Sequence, residues 1–202
     1  MRISLGIMRF MNKALPRLLK EIGQCNLCAE HLSEGVNPVL QAHHDARILI
    51  IGQAPGLQVH KTNVPWDDAS GERLRGWLGL DKSQFYGDKV ALVPMGFCYP
   101  GRGKSGDLPP RKECAETWHV KLLSQLPNVQ ITILIGQYAQ NYYLPSKEKT
   151  LTATVKKFRA YLPEFLVLPH PSPRNNIWLA KNPWFEQDVL PSLQARVNKA
   201  IQ

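Results

Sequence analysis

The sequence predicts an α/β fold of three layers, α/β/α, with a central four-stranded parallel sheet covered by helices on both faces. Four short, nearly continuous apolar runs, at residues 47–51, 90–95, 129–135 and 165–168, carry the first part of that expectation. Strands buried on both faces read this way, whereas a half-exposed strand alternates. Helical periodicity fills the intervals at 70–79, 110–126 and 137–144, and strands alternating with helices build a parallel sheet. Composition agrees: 44% hydrophobic and 20% charged residues over 202 positions suit one globular domain spanning 1–202.

Taken in order, residues 13–23 read as a short amphipathic helix, with Leu15, Leu18, Leu19 and Ile22 on one face, Pro16 in its first turn and Gly23 at its end. Residues 1–24 thus form a helical extension of the domain. The apolar stretch at 1–11 is too short and too interrupted by charge to span a membrane, and it lacks the form of a signal peptide. A cytoplasmic, monomeric protein without a membrane partner is expected. The first strand ends in Gly52-Gln-Ala-Pro-Gly56, which must turn, and a long loop then leads to a helix bearing Leu74, Trp77 and Leu78 and stopping at Gly79. After the second strand, 96–110 is rich in Gly and Pro and reads as irregular. The helix at 110–126 carries Cys114, Trp118, Leu122 and Leu126 at a spacing of four. The fourth strand delivers His170-Pro-Ser-Pro-Arg174 at its carboxyl end, and the tail from Pro183 is helical. Parallel sheets bind ligands beyond the carboxyl ends of their strands. The 52–56 turn and the His170 segment both fall there.

The chemistry-bearing residues point the same way. Lys and Arg number 25 against 16 Asp and Glu, for a net charge of +9, and such a surplus favours a polyanionic partner through counterion release. Cys25 and Cys28 form a CxxC pair, while Cys98 and Cys114 bracket the irregular loop. Four cysteines in a cytosolic chain suit a metal better than disulfides, and spacing alone leaves zinc and iron–sulfur equally open. A thioredoxin-like pair does not fit, because this CxxC does not follow a strand. Gly103-Lys104-Ser105 suggests a phosphate-binding loop, but Cys98 stands where that motif needs a glycine, and Pro109 and Pro110 interrupt the helix that should follow. No nucleotide cofactor is expected. The basic loop containing Arg102, Lys104, Arg111 and Lys112 suits either a phosphate backbone or plain solvation. Prolines on both sides of Ser172 fix the backbone after His170, so the imidazole is presented rigidly at a strand end, where it can serve a leaving group or simply cap the strand.

Together, the CxxC pair, Gly52-Gln-Ala-Pro-Gly56, Val64-Pro-Trp-Asp-Asp-Ala-Ser-Gly71, the separation of Cys98 from Cys114 and His170-Pro-Ser resemble the iron–sulfur, family-four members of the uracil-DNA glycosylase superfamily. The resemblance runs from Cys25 to about Arg174 and implies a DNA-repair enzyme that hydrolyses the N-glycosidic bond of uracil or another deaminated base. It implies a 4Fe–4S cluster, rather than zinc, on Cys25, Cys28, Cys98 and Cys114. His170 would stabilise the departing base anion and Gln53 would hold the attacking water. Gly52, Ala54, Pro55, Gly56, Trp66, Pro94 and Ser172 would line the pocket for the everted base, with Trp66 stacking on it. Ser70, Gly71, Arg102, Lys104, Arg174 and Asn175 would meet DNA. Two positions depart from the family: Ala54 stands where the best-known members carry a water-activating Asp, and Pro94 where family four carries its base-reading Asn. Those departures support an alternative, a non-catalytic iron–sulfur protein of the same fold that binds DNA or damaged bases.

Overall fold

The structure is a computed structural model that describes the backbone of residues 5–202 and the side chains of 14–202. The first residues of the apolar stretch, 1–4, lie outside the described residues. Helix α1 spans Leu5–Gly23, so it starts earlier than the pattern implied and holds Pro16 in its interior rather than its first turn. Leu15 and Ile22 anchor it in the core.

Strand β1, Ile48–Ile51, is buried along its whole length. Helix α2, Leu57–Thr62, occupies part of what the sequence presented as a long loop; six residues with one buried side chain are too few for periodicity to register. Helix α3, Ala69–Leu78, is capped by Asp68 and ends on Gly79, whose φ of 70° is the left-handed stop typical of glycine. A short capped turn, α4 at Lys82–Phe85, leads to β2, Val90–Leu92. That strand is shorter than the apolar run 90–95 because Pro94 has no amide to give a neighbour. The loop at 96–110 is not wholly irregular: Arg102–Gly103 (β3) and Gly106–Asp107 (β4) pair as a two-rung antiparallel hairpin. Then follow α5 (Lys112–Leu123), β5 (Ile131–Ile135), α6 (Gly136–Tyr143), α7 (Leu151–Lys156), β6 (Phe165–Leu168), α8 (Asn176–Lys181) and α9 (Leu190–Ile201).

The four main strands form one all-parallel sheet in the order β2-β1-β5-β6, flanked by helices as the alternating pattern predicts. Ile48, Ile50, Ile51, Ile133, Leu134 and Val167 are fully buried at its centre, and each such side chain contributes roughly 1.5–3 kcal/mol of burial free energy. Helix α9 lies against β1 and β5 with Leu193 and Val197 inward, and Trp77 of α3 meets Phe185 edge-on at 4.9 Å. Among the described residues no helix is long and apolar enough to cross a membrane. All four strands point their carboxyl ends the same way, so Gly52, Pro94, Gly136 and His170 converge on one edge of the sheet.

Candidate active site

At that edge lies a cavity of about 530 Å³ whose lining includes Gly52, Gln53, Ala54, Pro55 and Gly56 from the first turn, Trp66 and Ser70, Pro94, and His170, Ser172, Arg174 and Asn175. Four segments far apart in sequence thus supply one pocket. Of the residues expected in the base pocket or against DNA, Gly71, Arg102 and Lys104 do not line it.

Trp66 forms one wall. Its indole is packed so closely against the first turn that a Cβ on Gly52 would stand 2.7 Å from Cζ2. Its ring centroid is 5.8 Å from that of His170, with 31° between the planes. The residue adopts φ 58°, a left-handed conformation that costs a bulky side chain about 1–3 kcal/mol. Gly71 leaves room for that backbone: a Cβ at that position would lie 1.8 Å from the Trp66 carbonyl oxygen. The Gly71 amide donates to Asp68 Oδ1 at 2.8 Å. Gly71 therefore accommodates the Trp66 carbonyl, and its amide is already engaged by Asp68 and is not free for a phosphate.

The His170 segment is braced from two sides. Asn175 Nδ2 donates to the His170 carbonyl at 2.7 Å, and Arg73 reaches across from α3 to donate to the Ser172 carbonyl at 3.1 Å and to Asn176 Oδ1 at 2.8 Å. Burial lowers the His170 pKa, against weaker opposing pulls from the Asp68 and Asp107 charges. The imidazole is accordingly held neutral, a form that donates one hydrogen bond without surrendering its proton. Gln53 is tied loosely, its Nε2 donating to the Leu108 carbonyl at 3.5 Å.

Pro94 is locked by a residue the sequence reading passed over. His119, 1% exposed, has Nε2 3.0 Å from the Pro94 carbonyl and Nδ1 beside the Tyr143 hydroxyl. A carbonyl only accepts, so Nε2 carries the hydrogen and Nδ1 accepts from Tyr143. Burial lowers the His119 pKa to about 4 from an ordinary 6.5. The unfolded chain therefore binds a proton between those values that the folded chain refuses, and stability must fall as pH drops through that window, by roughly 3 kcal/mol in full. Urea unfolding from pH 7 to pH 4 should show this decline, and His119→Gln should flatten it. An equal slope in the variant would assign the decline elsewhere.

Arg102 and Lys104 lie exposed on the β3–β4 hairpin, which borders the cavity through Asp107. The hairpin is a flap joined to both sides of the pocket: Gln53 reaches Leu108, and a Cβ on Gly106 would sit 3.0 Å from Arg174 Nη1. Two carboxylates in the lining, Asp68 and Asp107, were also missed. Asp68 left a readable signal, since it directly precedes a helical pattern in the position of an N-cap. Asp107 left none.

Among the described residues no three His, Cys, Asp or Glu side chains form a ready-made metal-binding group, yet Cys25, Cys28, Cys98 and Cys114 all line a second, small cavity. Burial pushes the Cys114 thiol up to about 12, and the charges of Cys98, Cys28 and Cys25 push the same way; Cys98 is raised by burial and by Cys25 and Cys28. Thiolates that repel one another are a donor set that a cation among them would relieve. The Phe97 amide donates to Cys114 Sγ at 3.3 Å, and Trp118 Nε1, which belongs to a residue of the same lining, is buried without a hydrogen-bond partner. A family model described as the uracil DNA glycosylase superfamily matches residues 40–194.

Proposed function

Because the chain belongs to the uracil DNA glycosylase superfamily, we propose that it hydrolyses the N-glycosidic bond of uracil or another deaminated base in DNA. One observation carries the reading: a single strand-end cavity gathers the 52–56 turn, Trp66 and His170. An everted base needs a flat apolar surface and a donor for the charge it acquires on leaving, and Trp66 and the neutral His170 are adjacent candidates for these roles. Arg174 and the exposed Arg102 and Lys104 would follow the phosphate backbone. The test is a panel of single- and double-stranded oligonucleotides bearing uracil, hypoxanthine or xanthine, treated with alkali after incubation. Strand cleavage at one lesion or more is expected; intact strands throughout would refute the enzymatic reading. They would favour the alternative, a non-catalytic binder, for which Ala54 and the engaged Pro94 carbonyl speak.

The finer assignment, to the iron–sulfur family-four type, rests on the thiols. Cys25, Cys28, Cys98 and Cys114 would hold a 4Fe–4S cluster, with zinc as the alternative. The unpartnered Trp118 N–H favours the cluster, since inorganic sulfide offers an acceptor that a zinc ion lacks. When bound, the group would serve as a cross-link ordering the 98–114 segment and the flap within it. Anaerobically purified protein should be brown, contain iron and sulfide, and lose its broad visible absorption on Cys98→Ala. A colourless preparation containing zinc would sink the assignment.

A further inference from the structure

We propose that Asp107, carried on the β3–β4 flap, is the carboxylate that accepts the proton of the attacking water. The inference rests on the glycosylase reading above and answers a question it leaves: the first turn holds no acid, Ala54 being in the position where one would stand. Asp107 lines the same cavity as Trp66 and His170. Its two oxygens are distinguished by their surroundings. Tyr99, 2% exposed, donates its hydroxyl to Oδ1 at 3.3 Å. Oδ2 faces the first turn, 3.8 Å from where a Cβ on Gly56 would lie. One oxygen is thus anchored from the core side and the other is turned to the pocket. The second carboxylate of the lining has another duty, for Asp68 Oδ1 caps α3 at Gly71.

The placement also explains how an acid is tolerated on a surface that should face phosphates. Arg102 is the cross-strand partner of Asp107 in the hairpin, and Arg174 Nη1 lies against Gly106. These cations offset the repulsion that a lone carboxylate would feel near a DNA backbone. In the step itself, the water oxygen bonds to C1′ of the sugar as the C1′–N bond breaks. The electron pair of that bond leaves with the base, whose charge accepts the His170 hydrogen bond, and the water proton passes to Asp107 Oδ2. The products are the abasic sugar, bearing the new C1′ hydroxyl, and the base anion, which takes up a proton from solvent as Asp107 returns its own.

The experiment is single-turnover excision on the lesion that the wild-type protein releases fastest, with DNA affinity measured in parallel. Asp107→Asn should lower the rate by about 10²–10⁴-fold, the usual worth of a positioned general base, with little change in affinity. Asp107→Glu should retain part of the activity. Added formate should restore part of the rate to Asp107→Ala, which a purely structural role would not permit. An Asp107→Asn protein as fast as wild type, or one losing rate and DNA affinity in step, would overturn the assignment while leaving the glycosylase reading intact. A wild-type protein inactive on every lesion would overturn both.

Discussion

Replacing His170 with alanine should slow base release by about 10²–10³-fold, the cost of removing one aimed donor from a developing anion. The expectation follows from position and charge state together. The backbone is fixed at both flanks by proline, the carbonyl of His170 is held by Asn175, and Arg73 fastens the next two turns to α3. The imidazole therefore does not have to be ordered when substrate arrives. Burial favours its neutral form, so in the proposed reaction it would stabilise the leaving base by hydrogen bonding, with no proton transfer required. DNA affinity should change little, because the lost interaction strengthens only as the bond breaks. His170→Asn, which restores a donor at a shorter reach, should recover part of the loss. Single-turnover rates at saturating enzyme decide the matter: a His170→Ala protein with the wild-type rate would remove this residue from the chemistry.

Gly71→Ala, just behind the pocket wall, should be the most damaging conservative change near the cavity. Its methyl group would have to occupy space 1.8 Å from the Trp66 carbonyl oxygen, and neither partner can give way easily. Gly71 is in the first turn of α3, fixed by its bond to Asp68, and Trp66 sits in a conformation it would not choose alone. Forced overpacking of this kind costs about 1–3 kcal/mol, occasionally more. Here relief would come from moving Trp66, so excision should fall along with stability. Thermal unfolding and Trp fluorescence should both shift, whereas Gly76→Ala, in the same helix with nothing within 4 Å of the added atom, should leave both nearly unchanged. Equal behaviour of the two variants would contradict this account of Gly71.

Much of this arrangement was legible before any coordinates. Residues 165–168 form a strand with the expected bounds, and the apolar runs at 47–51 and 129–135 differ from the observed strands only at their first residues. Buried parallel strands declare themselves because both faces must be apolar. The convergence of the 52–56 turn with His170 followed from the same topology. What stayed hidden was short or non-local. The flap has two rungs and no alternation to detect. The pairing of His119 with Pro94 joins a helix to a strand end 25 positions away. Gly71 read as a residue that meets DNA, because its packing against Trp66 could not be inferred from spacing.

The bond from His119 to Pro94 has a consequence for fidelity. A proline ring offers no donor, and one lone pair of its carbonyl is already taken by His119, so this part of the lining offers a base little to recognise beyond size and outline. Sorting by outline is coarse, worth about 10–200-fold for a difference of one methylene. A glycosylase with this lining would be expected to tolerate several kinds of chemical damage, in place of allegiance to a single lesion.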